Sequence, residues 1–225
     1  MNPPKLSPRL LAAAGFVRPM AVVADIGTDH AYLPIYLCGI GRIRSAVASD
    51  INEGPVERAK INITSYSLAK KIAVCHTDGL RGIETYAPTD IVICGMGGEL
   101  IAEIISGAKW TKNKSIRLIL QPMTHADKLR KFLCDEGYLI VDEALAREEK
   151  IYQIICAEYR GERVDYSPLE LTFGKQNIAR GGEELKSYAE YVRSVFETKI
   201  RGKRSAHADT AEEETFVSMI DELLK

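Results

Sequence analysis

The chain has 225 residues, 46% of them hydrophobic and 27% charged, a balance expected of a soluble globular protein with one domain and an appendage, or two small domains. Thirty Lys and Arg against 31 Asp and Glu leave a formal net charge of −1, which excludes a polycationic, histone-like binder. No apolar run approaches the roughly 18 residues of a membrane-spanning helix. Pro3, Pro4 and Pro8 interrupt the stretch where a signal peptide needs continuous apolar sequence, so a cytoplasmic protein with no membrane partner is expected. Five cysteines, widely spaced and without a CxxC pair, argue against a disulfide framework or a structural metal.

In chain order, Ser7-Pro8 reads as an N-cap followed by proline at the first helical position, opening a helix through Leu10, Leu11 and Ala14. Short apolar runs then predict strands at 21–25, 46–50, 72–76, 90–94, 116–121, 138–141 and 152–159. Helical patterns fall between them at 32–37, 55–68, 100–106 and 126–136. Alternation of this kind is the signature of an α/β fold, a mostly parallel sheet covered by helices. The last two strands are joined only by residues 142–151, too short for a helical crossover, so the last strand is expected to run antiparallel. Beyond Gly161 the pattern changes. Leu185, Tyr188, Val192, Phe196 and Ile200 recur at helical spacing, as do Phe216, Met219, Ile220 and Leu223, and 201–210 suits a turn between two helices. Such stripes bury against each other or against a second copy, so a monomer or weak homodimer is expected.

The chemistry lies at four strand ends. Val22-Val23-Ala24-Asp25-Ile26-Gly27-Thr28-Asp29-His30 runs an apolar strand into a turn whose Gly27 allows close approach to a ligand. Asp50 ends the second strand, where a carboxylate can accept both hydroxyls of a ribose. Asp78-Gly79-Leu80 follows the third and offers an acceptor for an exocyclic amine. Cys94-Gly95-Met96-Gly97-Gly98 ends the fourth, where a planar group can lie against bare backbone. Singly these are a turn, a cap or close packing; in this order they read as a nucleoside-bearing cofactor site. A dinucleotide site needs G-x-G-x-x-G, but Asp29 and Tyr32 occupy the second and third glycine places, and an acid beside a pyrophosphate repels it. Asp25, Asp29 and Asp50 suit the cationic, phosphate-free S-adenosylmethionine better.

Asp25-Ile-Gly-Thr-Asp-His-Ala-Tyr-Leu-Pro34, Asp78-Gly-Leu80, Cys94-Gly-Met-Gly-Gly-Glu-Leu-Ile101 and Leu118-Ile-Leu-Gln-Pro122 resemble the TrmK family, the bacterial tRNA (adenine-22-N1)-methyltransferases. The resemblance implies a Rossmann-like class I methyltransferase sheet over residues 1–160 and a coiled-coil-like helical hairpin domain over 161–225. It also implies S-adenosylmethionine as cofactor and tRNA as substrate. On this reading Asp25, Gly27, Thr28, His30, Asp50, Ile51, Asn52, Asp78, Gly79, Leu80, Gly95, Met96 and Gly97 bind the cofactor. Asp29 faces the reacting methyl group, and Gln121 and Pro122 hold the target base. Tyr32 or Tyr36 can stack on that base, although core packing is the simpler role for both. The hairpin is net acidic, so its tRNA contacts would rest on Lys199, Arg201, Lys203 and Arg204; Arg9, Arg18, Arg42, Arg44 and Lys60 are candidates for a basic groove. Two other readings stay open at this level: a small-molecule methyltransferase with the hairpin as a lid, and a non-catalytic RNA-binding protein with a relic pocket.

Overall fold

The computed structural model describes residues 2–225. Helix α1 (Pro8–Phe16) precedes β1 (Val22–Ile26), α2 (Tyr32–Gly39), β2 (Ser45–Asp50), α3 (Glu53–Ser65) and β3 (Ile72–His76). There follow β4 (Asp90–Gly97), α4 (Gly98–Ser106), β5 (Arg117–Thr124), α5 (Ala126–Asp135), β6 (Tyr138–Arg147) and β7 (Ile151–Tyr159). The seven strands form one sheet in the order β3-β2-β1-β4-β5-β7-β6. All neighbours pair in parallel except β7, which is antiparallel to both β5 and β6. The chain winds outward from β1 through β2 to β3, then resumes beside β1 at β4. That reversal opens a crevice at the C-terminal ends of β1 and β4, where open α/β sheets bind ligands.

Side chains alternate across the strands and bury on both faces. Val23, Ala46, Val92 and Ile119 point into a cluster with α1, α2 and α3. Ala24, Val47, Ile91, Ile93 and Leu118 point the other way, against α4 and α5. Burial on both faces explains why these strands read as continuous apolar runs.

Three strands run well past their expected ends, β5 reaching Thr124 instead of stopping at 121. β4 continues past Cys94 to Gly97 through register shifts around Met96, with Gly95 at φ +83. A residue free to adopt positive φ lets the strand bulge and keep pairing. β6 runs to Arg147 instead of ending near 141, leaving only 148–150 as the turn to β7. Its second half stays extended because β7 pairs it and Leu145 packs against the C-terminal helices.

Residues after 161 form two short helices that the apolar periodicity does not predict, α6 (Pro168–Phe173) and α7 (Lys175–Arg180), then the long pair α8 (Glu183–Ser205) and α9 (Ala211–Leu223). α8 extends through the first half of the expected turn, so the connection is 206–210. A third apolar cluster of Phe173, Leu185, Ala189, Val192 and Ile220 joins them, and the Phe196 and Phe216 rings meet at 4.7 Å. Among the described residues no helix is long and apolar enough to cross a membrane.

Candidate active site

The loop after β1 is tied down before it reaches solvent. The N–H groups of Gly27 and Thr28 donate to the Ser49 carbonyl of β2 at 2.8 and 2.9 Å. Thr28 Oγ1 accepts from Ala31 N–H at 3.0 Å. Asp25 is 8% exposed, and burial pushes its carboxyl up to about 6, with the Thr28 side chain pulling partly back. Asp29 lies further out, its Oδ1 accepting from Arg58 Nε at 2.9 Å and from Arg58 Nη2, with His30 Nε2 3.2 Å from Oδ2.

The other strand ends meet this loop. Asp50 Oδ1 accepts from the Asn52 backbone N–H at 2.7 Å and from its side-chain amide at 3.2 Å. The His76 ring bonds the Ile51 carbonyl at 2.8 Å. At Cys94, burial first and the neighbouring Asp25 charge second push the thiol well above its ordinary range, so it stays protonated.

Two lobes result. The larger, about 500 Å³, is lined by Asp25, Gly27, Thr28, Asp29, His30, Tyr32, Cys94 and Gly95, with Lys5, Ser7 and Arg9 of the N-terminal segment as its far wall. The smaller, about 200 Å³, is lined by Gly27, Ser49, Asp50, Ile51, Asp78, Gly79 and Met96. Gly27 belongs to both, at φ +74, and a Cβ there would sit 1.9 Å from the Met96 methyl. The lobes are thus separated only by a bare backbone and the tip of one flexible side chain.

Several expected site residues do not line either lobe. Asn52 supports Asp50 from behind. Leu80 is 3% exposed and packs into the second core cluster. Gly97 abuts Thr124. Gln121 is fully buried, its Oε1 accepting from Gly95 N–H at 3.1 Å and Arg9 Nη1 at 2.8 Å, and its amide donating to the Pro122 carbonyl at 2.9 Å. Pro122 itself is buried in the β4–β5 ladder opposite Met96. Gln121 therefore holds the glycine strand end and the first helix in place from behind.

Sequence reasoning missed Lys5, Ser7, Arg58 and Ser49 at this site. Ser7 was legible only as a helix cap, yet its side chain caps nothing, and its buried Oγ has no hydrogen-bond partner in the large lobe. Ser49 Oγ is likewise buried without a partner beside the small lobe. Buried hydroxyls without partners are costly, and a polar ligand would satisfy them. Together with the Gly27 cradle and the carboxylates, they fit a cofactor bearing a ribose at one end and an amino acid at the other.

The expected basic surfaces are rearranged. Arg18 Nε donates to Asp90 at 2.8 Å at the start of β4, and Arg42 Nη2 to the Val17 carbonyl at 2.8 Å. Arg44 N–H donates to the Ala21 carbonyl just before β1. These three lie at the opposite end of the sheet from the crevice. Lys199 and Lys203 both pair with Glu213 at 2.7 Å, and Arg204 with Glu214 at 3.0 Å, so three of the four hairpin cations face acids of α9.

This sheet order and crevice define a class I methyltransferase fold, and the Methyltransferase domain model matches residues 6–155. The chain belongs to that family. It belongs more narrowly to the bacterial tRNA (adenine(22)-N(1))-methyltransferases: it is 39% identical over 175 residues to the Bacillus subtilis protein of that name, covering 77% of this chain and 74% of the relative. The crystal structure of the B. subtilis m1A22 tRNA methyltransferase TrmK superposes with a TM-score of 0.88 at 31% identity, over 98% of this chain and 99% of that one. M. capricolum TrmK, solved in complex with S-adenosyl-homocysteine, superposes with a TM-score of 0.82 at 28% identity, over 97% of both chains.

Proposed function

We propose that this chain transfers a methyl group from S-adenosylmethionine to N1 of adenine 22 of tRNA, in the cytoplasm. The observation that carries this reading is the ordered set Asp25, Asp50 and Asp78 around two joined lobes at the switch point of the sheet, in a chain whose relatives carry that activity by name. Residues 1–160 form the methyltransferase unit in this proposal and 161–225 the appended hairpin.

S-adenosylmethionine supplies a methyl group on a positively charged sulfur. Asp50, oriented by Asn52, would accept the ribose hydroxyls, and Asp78 would accept from the adenine amine. Asp25 and Ser7 would take the amino-acid end, Gly27 and Gly95 giving it room. Gln121 acts behind this surface, holding Gly95 in its bulged conformation. Adenine N1 carries its own lone pair, so attack needs orientation and no general base. Asp29, held by Arg58 and 3.2 Å from His30, would stabilise electrostatically the positive charge that spreads to the target amine.

The test is transfer of labelled methyl to unmodified tRNA, followed by nucleoside analysis. 1-Methyladenosine, mapped to position 22 and absent from a transcript with that adenine replaced, is the expected product. Cofactor binding with no transfer to any tRNA would overturn the substrate assignment.

A further inference from the structure

Helix α2 carries two tyrosines with opposite fates. Tyr36 is half-buried and packs against the first core cluster. Tyr32, one turn earlier, is 40% exposed, although the residues that follow it, Leu33, Pro34 and Ile35, are all buried. The cause is local. Ala31, wholly buried, is in the left-handed region at φ 55, a conformation that costs energy for a residue with a Cβ. It is held there by its N–H bond to Thr28 Oγ1. The twist turns Tyr32 away from the core and onto the rim of the larger lobe.

There the Tyr32 ring lies parallel to the His30 imidazole, with centroids 5.0 Å apart and planes 12° from parallel. His30 is in turn 3.2 Å from Asp29, which Arg58 grips from the other side. Among the described residues lining this lobe, Tyr32 is the only Phe, Tyr or Trp. The ring belongs to neither core cluster of the sheet, and the residue before it is in the left-handed region.

We propose that the Tyr32 ring, backed by His30, is the platform on which the target adenine stacks, setting its Watson–Crick edge toward Asp29. This rests on the methyl-transfer reading above. A base drawn out of a folded RNA loses its stacking neighbours, and an aromatic side chain replaces them whatever the base's hydrogen-bonding edge is doing. Stacking leaves N1 and the amine free for the transfer, which hydrogen-bond recognition of the same edge would not. His30 then orients the ring, and the Thr28–Ala31 hydrogen bond fixes the turn from which both project.

The test is a set of full-length variants, Tyr32→Leu, Tyr32→Ala, Tyr32→Phe and Tyr32→Trp, measured for cofactor Kd by calorimetry and for kcat and KM on tRNA. Leu and Ala should lower kcat/KM for tRNA by about 10- to 100-fold, the range of lost base–aromatic stacking. Cofactor Kd should stay within about threefold, and Phe and Trp should recover most of the loss. Leu keeps apolar bulk without a π face, so it also stands in if the Ala variant proves unstable. Full activity in the Leu variant, or a matching loss of cofactor affinity, overturns the platform while leaving the enzyme assignment intact. No methylation of tRNA by the unaltered protein overturns the enzyme assignment and the platform with it.

Discussion

Arg9 in the first turn of α1 donates from Nη1 to Oε1 of Gln121 at 2.8 Å, joining the N-terminal segment to the end of β5 across 112 residues of chain. The same oxygen accepts the Gly95 N–H, and Arg9 is also held by Glu148 at the β6–β7 turn, whose Oε1 accepts the Arg9 backbone N–H at 2.8 Å. One buried amide thus fixes two walls of the large lobe. Gln121→Ala removes the acceptor from both donors, and an unmet buried donor costs about 1–3 kcal/mol. We expect an unfolding free energy, read from urea titration, lowered by that amount and a loss of methyl transfer larger than stability accounts for. Gln121→Glu keeps an acceptor for Arg9 and Gly95 and should retain more activity than the alanine variant at 25 °C.

Asp25 supplies a pH test. Its carboxyl sits at about 6 in the fold against 3.8 ordinarily, because burial disfavours its charge. The native state therefore holds the proton more tightly than the unfolded chain. Its contribution to stability is complete below about pH 4 and is lost as pH rises through about 6, a cost of about 3 kcal/mol at pH 8. Asp25→Asn should stabilise the cofactor-free protein at pH 8 relative to pH 4 by that order, read from urea unfolding at both values. Cofactor affinity should move oppositely. It should fall as pH drops below 6 in the unaltered protein and be weak at every pH in the variant.

The short helices α6 and α7 are fastened to α5 and the sheet through Arg130 and Glu143, both wholly buried, with Nε to Oε1 at 2.7 Å. Arg130 also donates to the Leu171 carbonyl of α6 at 2.8 Å and to Gln153 of β7 at 2.6 Å. The Gln176 N–H of α7 donates to Glu143 at 3.1 Å. Arg130→Met strands a buried carboxylate, and loss of one partner in such a pair costs about 3–5 kcal/mol. The double variant Arg130→Met, Glu143→Leu should recover much of this in thermal unfolding, since no charge is then left unpaired.

The hairpin cations carry a further prediction. Lys199 and Lys203 hold the Glu213 carboxyl down to about 2 by hydrogen bonds and charge. Lys199→Met with Lys203→Met should lower the thermal midpoint of the hairpin. If these cations are spent on Glu213, the slope of log KM for tRNA against log salt should change by less than one unit. A drop near two would instead mean that both lysines release counterions from phosphate.

Much of the fold was legible because burial on both faces leaves a plain apolar run. The central strands announced themselves in this way, the antiparallel last strand through the short connection before it, and the long hairpin helices through apolar stripes at helical spacing. The short helices did not. α6 and α7 are six residues each, less than two turns, so no periodicity can build up. The one available signal was the capping box at Ser167 and Glu170, whose reciprocal bonds are 3.2 and 2.8 Å, placed before Pro168 as Ser7 is placed before Pro8.

At the site, sequence alone put Asp25, Asp50, Asp78 and Gly27 beside one another, because adjacent parallel strands bring their C-terminal ends to one edge. It also favoured the methyl donor over a dinucleotide, since Asp29 stands where a pyrophosphate would lie. Only the tertiary structure decided which side chains face the cavity. Gln121 and Leu80 turn into the interior, Tyr32 turns out because Ala31 adopts a left-handed conformation, and Ser7 and Arg9 arrive from the far N-terminus. Orientation at a strand end depends on one bulge or one twisted residue, and proximity across 112 residues depends on how the layers pack. Neither quantity is written in local pattern.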